Sequence, residues 1–255
     1  MILVPRPVKV PPILQRGLVV TQANCQLRDA TPVDAESGKL RFEIPRRIYG
    51  AKTVKAALCT AQFSKCCFCE GVFEAHYRGD VEHYRPKSSI TVDGTRIYPG
   101  YYWLAFQLSN LFYACADCNQ YRKRDLFPLT NEAKRARSHH DDLALEDPLI
   151  LDPSGPRDPR LHIRFFHDAP VGVTEAGRRT IESLRLDREP LSKRRRQAIA
   201  RLKDHLSTVR HLSEDPRPEI VDKVTIARLE LAEAVRPDAE FSAMAADYIA
   251  GWTPP

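Results

Sequence analysis

KCCFCE (residues 65–70), DVEHYRPK (80–87) and SNLFYACADCNQYRKRDLFPL (109–129) decide how this chain is read. Two Cys-x-x-Cys pairs, Cys66/Cys69 and Cys115/Cys118, bracket the pair Glu82-His83, and Asn119 follows the last cysteine directly. A tight turn places both sulfurs of a Cys-x-x-Cys on one side of a metal, so two such turns complete a tetrahedral zinc shell. Four thiolates leave no open position, and such a zinc holds a fold without performing chemistry. Cys67 offers a competing register beside Cys66; the x-x spacing favours Cys66.

The residues between the cysteine pairs carry the chemistry. Phosphodiester hydrolysis needs a base to deprotonate water and a cation to offset charge on the phosphate and leaving oxygen. His83 is the candidate base, because a neutral imidazole serves that role near neutral pH. Adjacent residues of an extended chain face opposite ways, so Glu82 is free to act as a metal ligand while His83 addresses the water. Asp80 projects to the same side as Glu82 and is a candidate for a water-bridged contact. Asn119 offers a carbonyl oxygen as a second ligand, from the helix that starts at the second cysteine turn. Hard oxygen ligands favour magnesium or manganese. Arg85, Lys87, Arg122, Lys123 and Arg124 are close in sequence and are candidate phosphate contacts.

The order of an early Cys-x-x-Cys, acidic-His, Asn and then Cys-x-x-Cys-Asn resembles the zinc-containing HNH endonucleases of the ββα-metal class. The resemblance implies His83 as general base, Glu82 and Asn119 as ligands of one catalytic divalent ion, and Asn110 as a brace bonded to backbone. EHYRPK, YYWLAFQLSNLFYACADCN, LFPL, PLILDP, TIESLRLDREPLSKRR and FSAM together resemble the HNH subunit of retron-associated and Septu-type antiphage systems, over roughly residues 49–245. That likeness implies a DNA or RNA substrate and an ATPase partner of the ABC or SMC kind. Where such proteins carry Lys three residues after the Asn, this chain has Arg122, followed by Lys123, so either is the candidate phosphate contact.

Outward from this centre, residues 1–45 hold Pro5, Pro7, Pro11 and Pro12 and read as an extended arm, with strand-like pieces at Gly17–Thr21 and Leu40–Ile44. One helix is expected from Pro45 to Phe63, where Ile48, Val54, Leu58 and Phe63 recur near a helical spacing. SSITVDGTRIYPG reads as a hairpin turned at Asp93-Gly94, and Tyr101, Tyr102, Trp103 and Phe106 as core aromatics. His139 and His140 are candidate metal ligands by residue type, but adjacent residues on a helix point apart, so a solvated face is the expectation. A connector at 131–173 includes the apolar run PLIL and a strand in LHIRFF that holds His162. Helices follow from Thr174, from Pro190 to Leu212, from Pro218 to Val235 and in FSAMAADYIA. Lys193, Arg194, Arg195 and Arg196, with Arg201 and Lys203, make a basic helix suited to phosphates or an acidic partner.

The expected fold is α+β and mainly helical. A ββα-metal core at 46–130 lies between the arm and a C-terminal helical region at 174–255 that packs on it. At 255 residues with 43% hydrophobic and 28% charged residues, the chain has the composition of a globular protein, not a disordered one. Its net charge of +6 agrees with a polyanionic partner. It has no long apolar run, and the prolines near its start interrupt any leader-like segment, so a cytoplasmic protein without a membrane span is expected. Seven cysteines, an odd number, then read as thiols and metal ligands in a reducing compartment. The competing function is a scaffold that docks nucleic acid or the ATPase, with Glu82-His83 inert.

Overall fold

The computed structural model describes residues 1–72 and 79–254, and every candidate site residue lies within them. The fold is α+β. Among the described residues, three two-stranded sheets are set among helices, and no helix is long and apolar enough to cross a membrane.

The N-terminal region differs from the expectation of an arm. Met1 and Val4 are buried, and the Val4 amide donates to the carbonyl of Pro153 at 2.8 Å. A 3-10 turn at Pro12–Leu14 then leads into α1, Gln15–Ala30, so the predicted strand at Gly17–Thr21 is helical. Pro11 and Pro12 precede a helix because proline's missing N–H has no intrahelical partner to lose in a first turn. α1 docks closely: a Cβ on Gly17 would come within 2.3 Å of Phe106 Cγ. Leu40–Ile44 is not a strand either. Its backbone at Glu43 is held by the Asn24 side chain, which donates to the Glu43 carbonyl (2.8 Å) and accepts from its amide (3.1 Å). The short helix α2, Pro32–Glu36, lies between.

The expected single helix at 45–63 is two, α3 (Arg46–Tyr49) and α4 (Lys52–Ala61), interrupted at Gly50. The break turns Tyr49 toward the centre of the molecule while Val54 and Leu58 of α4 stay fully packed. The strands β1 (Asp80–His83) and β4 (Leu111–Ala114) pair antiparallel, with Glu82 opposite Phe112 and His83 opposite Leu111. Side chains alternate between the faces of a strand. Leu111, Tyr113 and Val81 therefore pack against Ile48, Val54 and Leu58, while Phe112 and Ala114 join the cluster of Cys66, Phe68, Cys118 and Tyr84. Between β1 and β4 the chain forms the hairpin β2 (Ile90–Val92) and β3 (Thr95–Ile97), with Asp93 and Gly94 both at positive φ. Tyr101, Tyr102, Trp103 and Phe106 are buried.

The connector packs into the same core through Ile150 and Leu151, both fully buried. It leads to the hairpin β5 (Ile163–Phe166) and β6 (Ala169–Gly172), then to α5 (Glu175–Leu184), α6 (Glu189–Leu212), α7 (Pro218–Ala234) and α8 (Ser242–Ile249). His162 lies just before β5, with Nδ1 2.8 Å from Thr174 Oγ1. The fully buried carboxylate of Asp247 ties α8 to β5, accepting from Arg160, Arg164 and the amide of Phe165, each at 2.8 Å. One hydrophobic cluster runs from Met1 through the cysteines to Met244 and Ala245.

The basic run on α6 is partly structural. Arg195 is buried and donates to the carbonyl of Leu186 at 2.7 Å. Arg194 pairs with Glu240, and Arg196 with Asp168 and Glu189.

Candidate functional site

The sulfur site comes from two loops beside the β1–β4 pair. Cys66, Cys69, Cys115 and Cys118 bring their sulfurs within 4.8 Å of one another, and Cys69 Sγ lies 3.9 Å from Cys115 Sγ. Zinc bound by four sulfurs at about 2.3 Å spans sulfur pairs of about 3.8 Å, so the donor set and its spacing fit that ion. Burial pushes the Cys66 thiol up, so four thiolates need a cation among them. Cys67 is buried outside this group, its amide bonded to the Tyr113 carbonyl at 3.1 Å. The register is therefore Cys66, as its spacing indicated. Arg188, at the start of α6, donates to Cys118 Sγ at 3.5 Å. No sequence pattern points to Arg188, because it lies 70 residues beyond the cysteine it reaches.

Following Cys115, residues Asp117–Lys123 form a π-helical turn, closed by the Arg124 amide on the Asn119 carbonyl at 2.8 Å. Such wide turns re-aim side chains and recur at functional sites. This one sends Cys118 into the sulfur cluster and leaves Asn119 on the wall of a cleft.

That cleft, of about 430 Å³, is lined by Glu82, His83, Lys87 and Asn119 together with Tyr49, Asp80, Gln120 and Arg124. His83 is 4% exposed and its Nε2 lies 2.9 Å from the Ala105 carbonyl. A carbonyl only accepts, so Nε2 carries the proton and the neutral ring keeps its lone pair on Nδ1. Burial, reinforced by Lys87, holds His83 well below the ordinary histidine range. Tyr49 meets the imidazole edge-on with centroids 4.6 Å apart, which steadies the ring plane.

Glu82 is buried, and burial pushes its carboxyl up against the opposing pull of Lys123. The Lys123 ammonium, itself fully buried, lies 2.6 Å from Glu82 Oε1 and donates to the His83 carbonyl at 3.0 Å. This corrects the reading of Lys123 as a phosphate contact: its charge is spent inside the protein. Glu82 Oε1 has no aligned hydrogen bond. A carboxylate, ion-paired to Lys123 on its Oε1 side, and the side-chain amide of Asn119 on one cleft are oxygen donors of the kind that suits a hard divalent ion. Asp80 is engaged by Gln120, Arg46 and Lys55 and does not stand free for such a contact.

Asn110 is buried and its side chain clamps the turn after β1. Its Oδ1 accepts from the Arg85 amide at 2.7 Å, and its Nδ2 donates to the Arg85 carbonyl at 3.0 Å. Arg85 itself turns inward. Its Nε donates to the buried Glu146 at 2.9 Å beneath the rings of Tyr84, Tyr101 and Phe127, so the reading of Arg85 as a nucleic-acid contact is corrected as well. Arg122 is half-buried and does not line the cleft. The basic residues that do are Lys87, Arg124, Arg46 and Lys55, the last two brought in by α3 and α4.

The chain is similar to the Septu protein PtuB of Bacillus mycoides (strain KBAB4), with 32% identity over 158 residues. The match covers 60% of this chain and 53% of that protein, so the chain spans about half the length of the curated relative it matches. No family model matches the chain, and no solved structure matches it.

Proposed function

We propose that the cleft is the active site of a metal-dependent endonuclease of the HNH, ββα-metal type, acting on DNA or RNA in antiphage defence. The observation that carries the reading is the 2.9 Å contact of His83 Nε2 with the Ala105 carbonyl, on a cleft shared with Glu82 and Asn119: a proton donated there leaves Nδ1 as the base. The likeness to a Septu protein supports the defence role. An ATPase subunit is the proposed partner, as the resemblance to Septu-type and retron-associated systems implies.

In this reading Nδ1 of His83 takes the proton of the attacking water, and Tyr49 and Ala105 keep the ring in register. Glu82 and Asn119 hold magnesium or manganese, which when bound offsets charge on the scissile phosphate and the leaving oxygen. Lys87 and Arg124 draw the nucleic acid backbone to the mouth of the cleft. Asn110 keeps the turn at Arg85 in place, so that the end of β1 presents Glu82 and His83 to one substrate. Zinc on the four cysteines holds the hairpin and the π-helical turn together.

The test is cleavage of plasmid, single-stranded DNA and tRNA by the full chain, alone and with its partner, in magnesium or manganese. His83→Ala is expected to lower the rate by about 10²–10⁴-fold, the range for a lost general base, with zinc content and folding unchanged. Wild-type-like cleavage by that variant would sink the assignment. The buried Lys123–Glu82 pair favours a second reading, a binding scaffold in which Glu82 is a structural ion-pair partner. That reading predicts nucleic-acid binding without divalent-dependent cleavage in any partner state.

A further inference from the structure

A second group of metal-ligand side chains lies away from the cleft and the cysteines. Asp29, in the last turn of α1, meets His139 and His140 of the turn at 138–142, with their ligand atoms within 4.8 Å of one another. His139 Nε2 is 3.4 Å from Asp29 Oδ2, and His140 Nε2 is 3.0 Å from Asp29 Oδ1. Nitrogen and oxygen ligands held at about 2.0–2.1 Å in a tetrahedron lie about 3.3 Å apart. The observed separations match that edge.

The convergence contradicts the helical reading of this segment, in which neighbouring histidines diverge. The Asp141 carboxylate instead accepts the amides of Arg137 (2.8 Å) and Ser138 (2.9 Å) and folds a turn. In it the two imidazoles lie side by side, with centroids 4.0 Å apart and planes 39° apart. A second, independent feature points to a ligand. The Tyr102 hydroxyl sits 2.9 Å from His139 Nδ1, and Tyr102 is itself fully buried and stacked on Phe42 at 4.0 Å. Histidines that bind metals are held in this way through their other ring nitrogen, which directs Nε2 to the ion.

We propose that Asp29, His139 and His140 bind a zinc-class divalent ion that clamps α1 to the 138–142 turn. Two imidazoles and one carboxylate suit zinc, cobalt or nickel, whereas magnesium prefers an all-oxygen shell. Three protein ligands leave a position for water. The His140 side chain is 60% exposed, so solvent reaches the site. Arg28, with Nη1 3.6 Å from Asp29 Oδ1, is the opposing charge. The inference does not depend on nuclease activity.

The test uses the purified full chain, zinc-loaded and then dialysed, with bound zinc counted by elemental analysis and further zinc titrated calorimetrically. One retained equivalent and a second, exchangeable one are expected. Asp29→Asn and His140→Ala should each weaken the second at least 10-fold while keeping the first equivalent and the circular dichroism of the wild type. Arg28→Gln should tighten it, and Glu82→Gln should leave it unchanged, which separates this site from the cleft. Absence of a second equivalent, its persistence in Asp29→Asn and His140→Ala, or its loss in Glu82→Gln would overturn the proposal.

Discussion

Cys118 and Asn119 are consecutive residues of one π-helical turn, yet they face sites of opposite character. The sulfur side is shut: its donors reach one another, the Cys118 sulfur is backed by Arg188, and it has the chemistry of a structural zinc site. The oxygen side is open, and its charges arrive from α3, α4, β1, the turn after β1 and Arg124 at the end of the π-helical turn. The difference separates two surroundings of one small strand pair, β1 and β4. Two short strands bury little surface by themselves; the sulfur side brings four donors together beside them, and the oxygen side keeps its polar side chains at an open cleft.

The largest effect should come from breaking the closed side. Cys118→Ser removes one donor of the proposed zinc shell, and such a shell is worth on the order of 10 kcal/mol of folding free energy. The expected outcome is loss of bound zinc and of the cooperative thermal transition, whereas His83→Ala should keep both and lose only cleavage. A Cys118→Ser protein that melts like the wild type would erase the division.

A smaller effect tests whether the open side also carries stability. Lys123→Met leaves the buried Glu82 carboxylate without its partner, at a cost of about 3–5 kcal/mol in denaturant unfolding. Magnesium should raise the melting temperature of this variant more than that of the wild type, since a divalent ion replaces the lost charge. An equal response in both proteins would mean that Glu82 does not meet the ion. Asn110→Ala should cost about 1–3 kcal/mol, because the half-buried Arg85 amide and carbonyl lose the bonds that Asn110 makes to them. Its cleavage should fall further than its stability predicts, if the turn at Arg85 sets the aim of Glu82 and His83.

The sulfur site was legible because metal geometry is local: a Cys-x-x-Cys turn announces its ligands within four residues, and the doubt between Cys66 and Cys67 was already narrowed by spacing. The cleft was legible as a set of residue types, Glu82, His83 and Asn119, but not as an electrostatic object. Arg85 and Lys123 read as surface cations because most such residues are. The structure pairs them with Glu146 and Glu82 in the interior, and proximity in sequence does not report which way a long side chain turns. The helix α1 was missed for a related reason. Leu18, Val19 and Leu27 stay exposed while Gly17 and Asn24 are buried, so its apolar pattern does not mark its buried face.

The amino-acid sequence by itself determined the two cysteine turns, the hairpin at Asp93-Gly94 and the C-terminal helices, since turn chemistry, metal spacing and helical periodicity act over a few residues. Tertiary structure alone decided which charges are spent in the core, which nitrogen of His83 is left free, and that Asp29 meets His139 and His140 across 110 residues of chain. Those outcomes depend on burial and on partners distant in sequence, and burial sets whether a charge stays in water or must find its opposite.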